Sequence, residues 1–440
     1  MPKRHPLDVV IIGAGVVGAA CAYYAARSGL RVAVLDRGPV AGGTTGAGEG
    51  NLLVSDKEAG PELDLALLSA GLWRELAGVL PPEVEYEPKG GLVVAPDEAT
   101  LEALRSFAEG QRAAGVDAVE AGPDDLRELE PHLAPRQAGG FHYPQDAQVQ
   151  PAQAAARLLA ASGAEVHLGE EVTAVLRSAD GAVRGVRTRA RELAAPAVVN
   201  AAGTWGGRIA ELAGTVLPVL PRRGFVLVTE PLPRVVRHKV YAADYIADVA
   251  SGSAALQSSA VVEGTPAGPV LIGATRERVG FDRSLSTEAL RRLAAQAAAL
   301  FPVLADVRIL RTYHGFRPYL PDHLPAIGPD PRVPGLLHAC GHEGAGIGLA
   351  PATGALITAA LTGTPPPLDP TPFHPTRFQQ PPSSPPDGNS APSGGNSAPS
   401  GGNSAPPGGN SAPPGGNSTS PGGNSGPSGG RSSPPDGGSG

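Results

Sequence analysis

Cysteine is scarce in this chain: Cys21 and Cys340 are its only two, far apart and without CxxC spacing. Neither a disulfide framework nor a structural zinc site is indicated, no metal site is expected, and a reducing cytoplasm fits. Runs of Lys or Arg are missing and the formal net charge is -7. A polyanion-binding surface is therefore excluded, and with it nucleic acid as a partner. The apolar run of residues 9–26 follows Lys3 and Arg4 and crudely resembles a leader or a membrane span. Gly13, Gly15 and Gly18 break it, Asp8 opens it, and residues 31–35 return at once as a second strand, which fits a folded βαβ unit better than an exported leader. The far end has almost no core-forming side chains. From about Gln380 onward it is mostly Pro, Gly, Ser, Asn and Ala, and units of GNSAPSG or GNSAPPG begin at Gly388, Gly395, Gly402 and Gly409 with nothing larger than Ala or Pro for the a and d positions of a heptad. A disordered Gly/Pro/Ser/Asn-rich tail over 378–440 is expected, either a tether to a partner or a dispensable extension.

What remains is ample for folding, since 41% hydrophobic residues in a chain of 440 can bury a large core and usually more than one. Short β-branched runs alternate with Ala/Leu/Arg stretches. The pattern predicts strands at 8–12, 31–36, 91–95, 165–168, 197–201, 225–229 and 270–274, and helices at 16–28, 62–77, 98–114, 151–162, 287–300 and 348–361. The fold class is α/β, and the Pro-rich residues 216–221 read as a crossing between two domains.

The stretch VVIIGAGVVGAACAYYAARSGLRVAVLDRG carries the first motif with a mechanism. Gly13 permits a tight turn, Gly15 lets backbone approach a pyrophosphate, and Gly18 allows close helix-on-strand packing, with Ala14, Val16 and Val17 between them. The helix amino terminus then offers unpaired N–H groups and the positive end of its dipole to phosphate. Asp36, with Arg37 beside it, ends the second strand where a carboxylate binds both ribose hydroxyls, which disfavours a 2′-phosphate and so NADP. NAD and FAD share this adenosine diphosphate, and the unit alone leaves both open. The next loop, GGTTGAGEGNL at 42–52, has no place in an ordinary nicotinamide dehydrogenase. A backbone so poor in side chains can lie against a flat ring and offer it N–H groups. Thr44, Thr45, Gly50, Asn51 and Leu52 are its candidate cofactor contacts.

At this point the chain resembles the FAD-dependent D-amino acid oxidase superfamily, in the branch with sarcosine oxidase, glycine oxidase and the β-subunits of hydroxyproline dehydrogenases. The resemblance covers residues 8–363. Its ordered landmarks are GAGVVG with Asp36, GGTTGAGEGN, YPQDAQVQPAQAAARL, VVNAAGTWG, and RPYLPDHLPAIG followed by GHEGAGIGLAPATG. It implies a Rossmann-like FAD-binding domain over 6–85, 145–215 and 325–365, with an inserted substrate domain on a mixed β-sheet over 86–144 and 216–324. Val172 matches the strand whose backbone meets adenine, and Ala202, Gly203 and Trp205 match the phosphate-side strand end. Gly344, Ala345, Gly346 and Ile347 match the helix start that faces the flavin, with His342 and Glu343 adjoining. Asp146 and Gln148 read as a structural turn. Gly224 and Phe225 stand where many members have Gly-Gln, which weakens transfer from the glycine oxidase subgroup.

Oxidising an amine α to a carboxylate moves the Cα hydrogen with its electron pair to flavin N5, and the substrate nitrogen must be neutral. The enzyme must hold Cα about 3–3.5 Å from N5 with the carboxylate fixed. A guanidinium fork suits that task. Arg317, in GFRP, matches the family's carboxylate clamp, with a structural salt bridge as the other reading. Arg222, Arg223 and Arg276 read as solvated. Tyr241 and Tyr245 read either as a lid that binds the carboxylate or as a packed helical face. His314 is placed before a GFRP turn, in reach of flavin, and Pro318 and Pro321 stiffen the approach. No cysteine lies where some relatives attach flavin, so FAD is expected to be noncovalent. The expected reaction oxidises the C–N bond of a small amino or imino acid and passes electrons to oxygen or another acceptor. No lysine can be set over the flavin, which leans toward a dehydrogenase. The competing readings are a NAD-linked dehydrogenase and a flavin-binding subunit that works only with a partner subunit.

Overall fold

The computed structural model describes residues 6–378, so the tail expected over 378–440 lies, apart from Phe378, outside the described residues. Two sheets organise the rest. The first has six strands in the order Ala326–Pro329, Leu336–Cys340, Ala197–Asn200, Val9–Ile12, Val32–Asp36, Glu165–Leu168. All neighbours are parallel except Ala326–Pro329 against Leu336–Cys340.

The unbroken VVII of the central strand follows from burial on both faces. Val9 and Ile11 pack with Ala19, Ala20 and Leu349, from helices Val16–Arg27 and Gly346–Thr362. Val10 and Ile12 pack with Val172, Val175 and Val186 of a three-stranded sheet on the other side. The two helices approach closely because their facing residues are small: a Cβ on Gly354 would fall 2.8 Å from the backbone of Ala20.

The second sheet has eight strands in the order Ile309–Tyr319, Leu220–Pro231, Pro269–Arg276, Gln257–Gly264, Lys239–Ala242, Gly91–Ala95, Gly139–Tyr143, Val119–Ala121. Lys239–Ala242 runs parallel to Gly91–Ala95 and the other neighbours are antiparallel, so the sheet is mixed. Leu92, Val94, Val240, Val262 and Ile272 bury against Leu293 and Ala297 of helix Thr287–Leu300. Their alternates Val93, Tyr241 and Val261, with Ala274, join the core that also holds Val9 and Ile11. The sheet is therefore apolar on both faces, and one face turns toward the first sheet's helices.

Helices Pro151–Ser162 and Thr287–Leu300 have the expected bounds, and the last long helix begins at Gly346 rather than at 348. The expected GFRP turn is instead part of the strand Ile309–Tyr319. Gly and Pro weaken strands in general, but this strand is the outermost of its sheet, where Pro318, a residue without N–H, is tolerated. Pro318 lies opposite Pro221. Residues 216–221 lead from helix Gly206–Leu212 into the strand Leu220–Pro231. Among the described residues no helix is long and apolar enough to cross a membrane. No group of three metal-ligating side chains occurs among them.

Candidate functional site

A cavity of about 610 Å³ is lined by residues of both sheets. The first-sheet wall suits a dinucleotide because backbone is bared where side chains would intrude. Gly13 has φ +120°, and a Cβ there would lie 2.3 Å from the Ala201 carbonyl oxygen. Gly15 begins helix Val16–Arg27 with no side-chain cap, leaving the helix's free N–H groups toward the cavity. Asp36 accepts hydrogen bonds from the amides of Ala14 and Gly38, both at 2.8 Å, and so ties the glycine turn to the end of the second strand.

Thr45 Oγ1 accepts from the Val16 amide at 3.0 Å, and Thr44 donates to the Phe316 carbonyl at 2.6 Å. These bonds pin the loop at 42–52 to both walls. Arg37 lies 4.1 Å over the Trp205 ring, and Trp205 stacks on Phe281 at 5.4 Å. Asn51 Oδ1 is buried without a partner among the described residues, an acceptor left for a ligand.

Of the cofactor candidates, Gly13, Gly15, Val16, Val17, Asp36, Arg37, Thr44, Thr45, Gly50, Asn51, Val172, Ala202, Gly203, Trp205, Gly344, Gly346 and Ile347 line the cavity. Ala14, Gly18, Leu52 and Ala345 stand behind the wall. Gly18 acts by absence, since a Cβ there would meet the Gly13 carbonyl oxygen at 1.9 Å. Neither Cys21 nor Cys340 lines the cavity; both are free and buried.

The second-sheet wall is charged. Arg317 lines the cavity, and its Nη1 donates to the Thr275 carbonyl at 2.8 Å. No carboxylate among the described residues pairs with it, so the structural salt bridge is absent. Burial and the neighbouring Arg276 push its guanidinium down to about 10. Gly224 makes room for this head group, because a Cβ there would stand 2.1 Å from Nη1. Phe225 is fully buried and packs on His314 at 5.7 Å, away from the cavity. His314 itself does not line the cavity.

Tyr245 lines the cavity beneath Arg276, whose guanidinium lies 4.5 Å from its ring centre. Tyr241 does not reach the cavity; its hydroxyl donates to Ser55, which in turn donates to Asp146. The two tyrosines touch at 5.0 Å from a strand and a helix, not from one helical face.

Arg222, Arg223 and Arg276 are only 1%, 4% and 3% exposed, which corrects their reading as solvated. Their partners are remote in sequence and so invisible there. Arg222 pairs with Glu343, Arg223 with Glu277 at 2.8 Å, and Arg276 Nη1 finds no hydrogen-bond partner among the described residues. Burial opposes the charge of Glu343, yet His323, Arg222 and Arg276 hold its carboxyl below the usual range. His342 donates from Nε2 to Thr353 at 2.9 Å, and burial pushes its imidazole down to about 3, so it is neutral. Asp146, expected as a turn residue, is buried, accepts from the Val54 amide at 2.8 Å, and has its carboxyl pushed up to about 6 by burial.

Sequence reasoning missed Glu49, an 8% exposed carboxylate on the wall, although it is the only acidic residue of the glycine-rich loop. Of the glycines beneath the second wall it singled out Gly224 only as a departure from the family pattern and missed Gly273. Gly315 lies opposite Gly224 in the ladder, and Gly273 lies on the next strand.

The sequence model of the family described as FAD dependent oxidoreductase (DAO) matches residues 8–360. The hydrogen cyanide synthase subunit HcnC of Pseudomonas aeruginosa is 32% identical over 86% of this chain and 97% of its own length. Glycine oxidase of Geobacillus kaustophilus is 30% identical over 85% of this chain and 97% of its own. The crystal structure of glycine oxidase from that organism superposes with a TM-score of 0.77 at 29% identity, covering 85% of this chain and 99% of the other. L-proline dehydrogenase from P. horikoshii shares the fold, with a TM-score of 0.77 at 24% identity over 85% of this chain and 98% of its own.

Proposed function

Because the chain belongs to the FAD dependent oxidoreductase family, whose cofactor is FAD, we propose that it oxidises the C–N bond of a small amino or imino acid, with Arg317 clamping the substrate carboxylate. The carrying observation is that the Arg317 guanidinium faces the cavity with one backbone carbonyl for a partner and, among the described residues, no carboxylate paired to it. A buried cation in that state lacks its anion, and a carboxylate fits the guanidinium fork.

Bound FAD supplies the acceptor for the hydrogen and electron pair that leave Cα. The chain's own residues do the rest. Asp36 and the helix starting at Val16 hold the dinucleotide end, and Asn51 supplies an acceptor for it. The helix starting at Gly346 turns its free N–H groups to the same cavity and so favours negative charge there. Tyr245 closes the wall beside Arg317. FAD is held noncovalently. In this reading residues 6–85, 145–215 and 325–365 form the FAD-binding domain, and residues 86–144 and 216–324 the substrate domain. Electrons pass to oxygen or another acceptor; no lysine among the described residues lines the cavity. Two free buried cysteines suit a cytoplasmic setting.

A second reading rests on the likeness to HcnC, itself a subunit: the chain works within a heteromeric dehydrogenase. One experiment tests both. The purified holoprotein is mixed anaerobically with glycine, sarcosine, proline and D-amino acids, and air is then admitted. Bleaching of the yellow absorbance by an amino or imino acid supports the first reading, and its return in air identifies oxygen as acceptor. A flavin that bleaches only when a partner subunit is added supports the second. A flavin bleached by none of these but by a hydroxy compound such as glycerol 3-phosphate overturns the amino acid reading.

A further inference from the structure

Glu49 sits in a built seat. Its carboxylate lies against bare Gly273, where a Cβ would fall 2.2 Å from Oε1 and 2.4 Å from Oε2. The side chain lines the cavity, and Oε1 is buried with no hydrogen-bond partner among the described residues. Arg317, Arg276 and Lys239 lie close enough for their charges to bear on it. None of them pairs with it: Arg317 donates to the Thr275 carbonyl, Arg276 lies over Tyr245, and Lys239 pairs with Glu263. Tyr245 and Tyr313 are the other ionisable groups that feel its charge. A carboxylate is acceptor-only, and leaving one buried and unpaired is unfavourable. The missing partner is a donor that enters the cavity.

Glu49 and Arg317, a carboxyl and a guanidinium, line the same cavity. A zwitterion laid between them directs its carboxylate to Arg317 and its ammonium to Glu49. Resting on the amino acid reading above, we propose that Glu49 is the catalytic base that takes one proton from the substrate ammonium. An N–H bond breaks with its electron pair staying on nitrogen, and an O–H bond forms on Glu49. No atom changes oxidation state in this step. The neutral nitrogen left behind is the form from which a bound flavin would accept the Cα hydrogen and its electron pair. Burial raises the Glu49 carboxyl above its usual range against the pull of Lys239, Arg317 and Arg276, which strengthens it as a base.

The test compares wild-type and Glu49→Gln holoprotein in anaerobic flavin reduction across pH, using the substrate found in the panel. Inhibition by its des-amino carboxylate twin is measured alongside. The expected variant loses about a hundredfold in reduction rate at neutral pH and regains it as pH approaches the free amine's own ionisation. Its inhibition by the carboxylate twin stays close to wild type, because Arg317 is untouched. An unchanged pH profile, or inhibition that weakens in step with the rate, overturns the proposal.

Should Glu49→Gln lose FAD, the wild type alone decides. Two substrates whose amines ionise at different pH give one common profile if Glu49 is the base. They give two displaced profiles if the free amine is selected from solution, which overturns it. A wild-type flavin that no amino or imino acid bleaches removes the amino acid reading and this inference together, whereas bleaching with displaced profiles removes the base alone.

Discussion

On the wall built by the six-stranded sheet, recognition is prepared by backbone: bare glycines at Gly13 and Gly18, a helix start after Gly15 whose first amide is taken by Thr45, and amides tied to Asp36. On the wall built by the eight-stranded sheet it is prepared by side chains: Arg317, Glu49 and Tyr245, brought from a strand, a loop and a helix. On the first wall an added atom meets backbone, and on the second it meets the charged groups themselves, Arg317 at Gly224 and Glu49 at Gly273. Substitutions on the two walls should therefore fail differently.

The largest effect is expected on the first wall. Gly13→Ala would set a Cβ 2.3 Å from the Ala201 carbonyl oxygen at φ +120°. The expected outcome is a loss of about 3 kcal/mol or more of stability and a colourless, FAD-free protein, read by calorimetry and by the absorbance of the purified chain. On the second wall, Arg317→Ala should keep its yellow colour and melting temperature while kcat/KM falls by about 1.5–3 kcal/mol, carried mainly by KM. Loss of FAD with normal turnover by the remaining holoprotein would erase the contrast between the walls.

A smaller effect sharpens the boundary of the second wall. Tyr241→Phe removes a hydroxyl that donates to Ser55 behind the cavity, so it should cost about 1 kcal/mol of stability and leave KM unchanged. Tyr245→Phe, on the wall itself, should change KM.

The last effect, absent at neutral pH and growing as pH falls, is a pH dependence at the junction of the walls. His342 is neutral when folded, at about 3 against an ordinary 6.5, so the unfolded chain binds the extra proton between those values. Its contribution to stability is present above 6.5 and is lost as pH falls toward 3. The difference in melting temperature between wild type and His342→Gln should narrow over that window.

The two walls also differed in how far they could be read in advance. Gly13, Gly15, Gly18 and Asp36 were legible because the geometry they serve is local: strand, turn, helix and strand follow one another within 9–36, and glycine spacing records the close approaches. Arg317 was legible through its GFRP setting. Its surroundings were not, because Thr275, Gly224 and Arg276 come from two neighbouring strands. The same reason hid the burial of Arg222 and Arg223, whose carboxylates lie far along the chain at Glu343 and Glu277. The strand Ile309–Tyr319 was misread because Gly and Pro weaken strands in general, and only its outermost position excuses Pro318.

The sequence by itself determined the βαβ unit, the glycine-rich loop, the α/β class and the family, because each rests on neighbours in the chain. Tertiary structure alone decided that, among the described residues, Arg317 has no carboxylate partner and Glu49 lies unpaired against Gly273, and that Tyr241 stands behind the wall while Tyr245 lines it. Those facts concern which charges are left without a counterpart. That depends on which strands lie side by side, and strand order is set by packing across the whole sheet rather than by any stretch of residues.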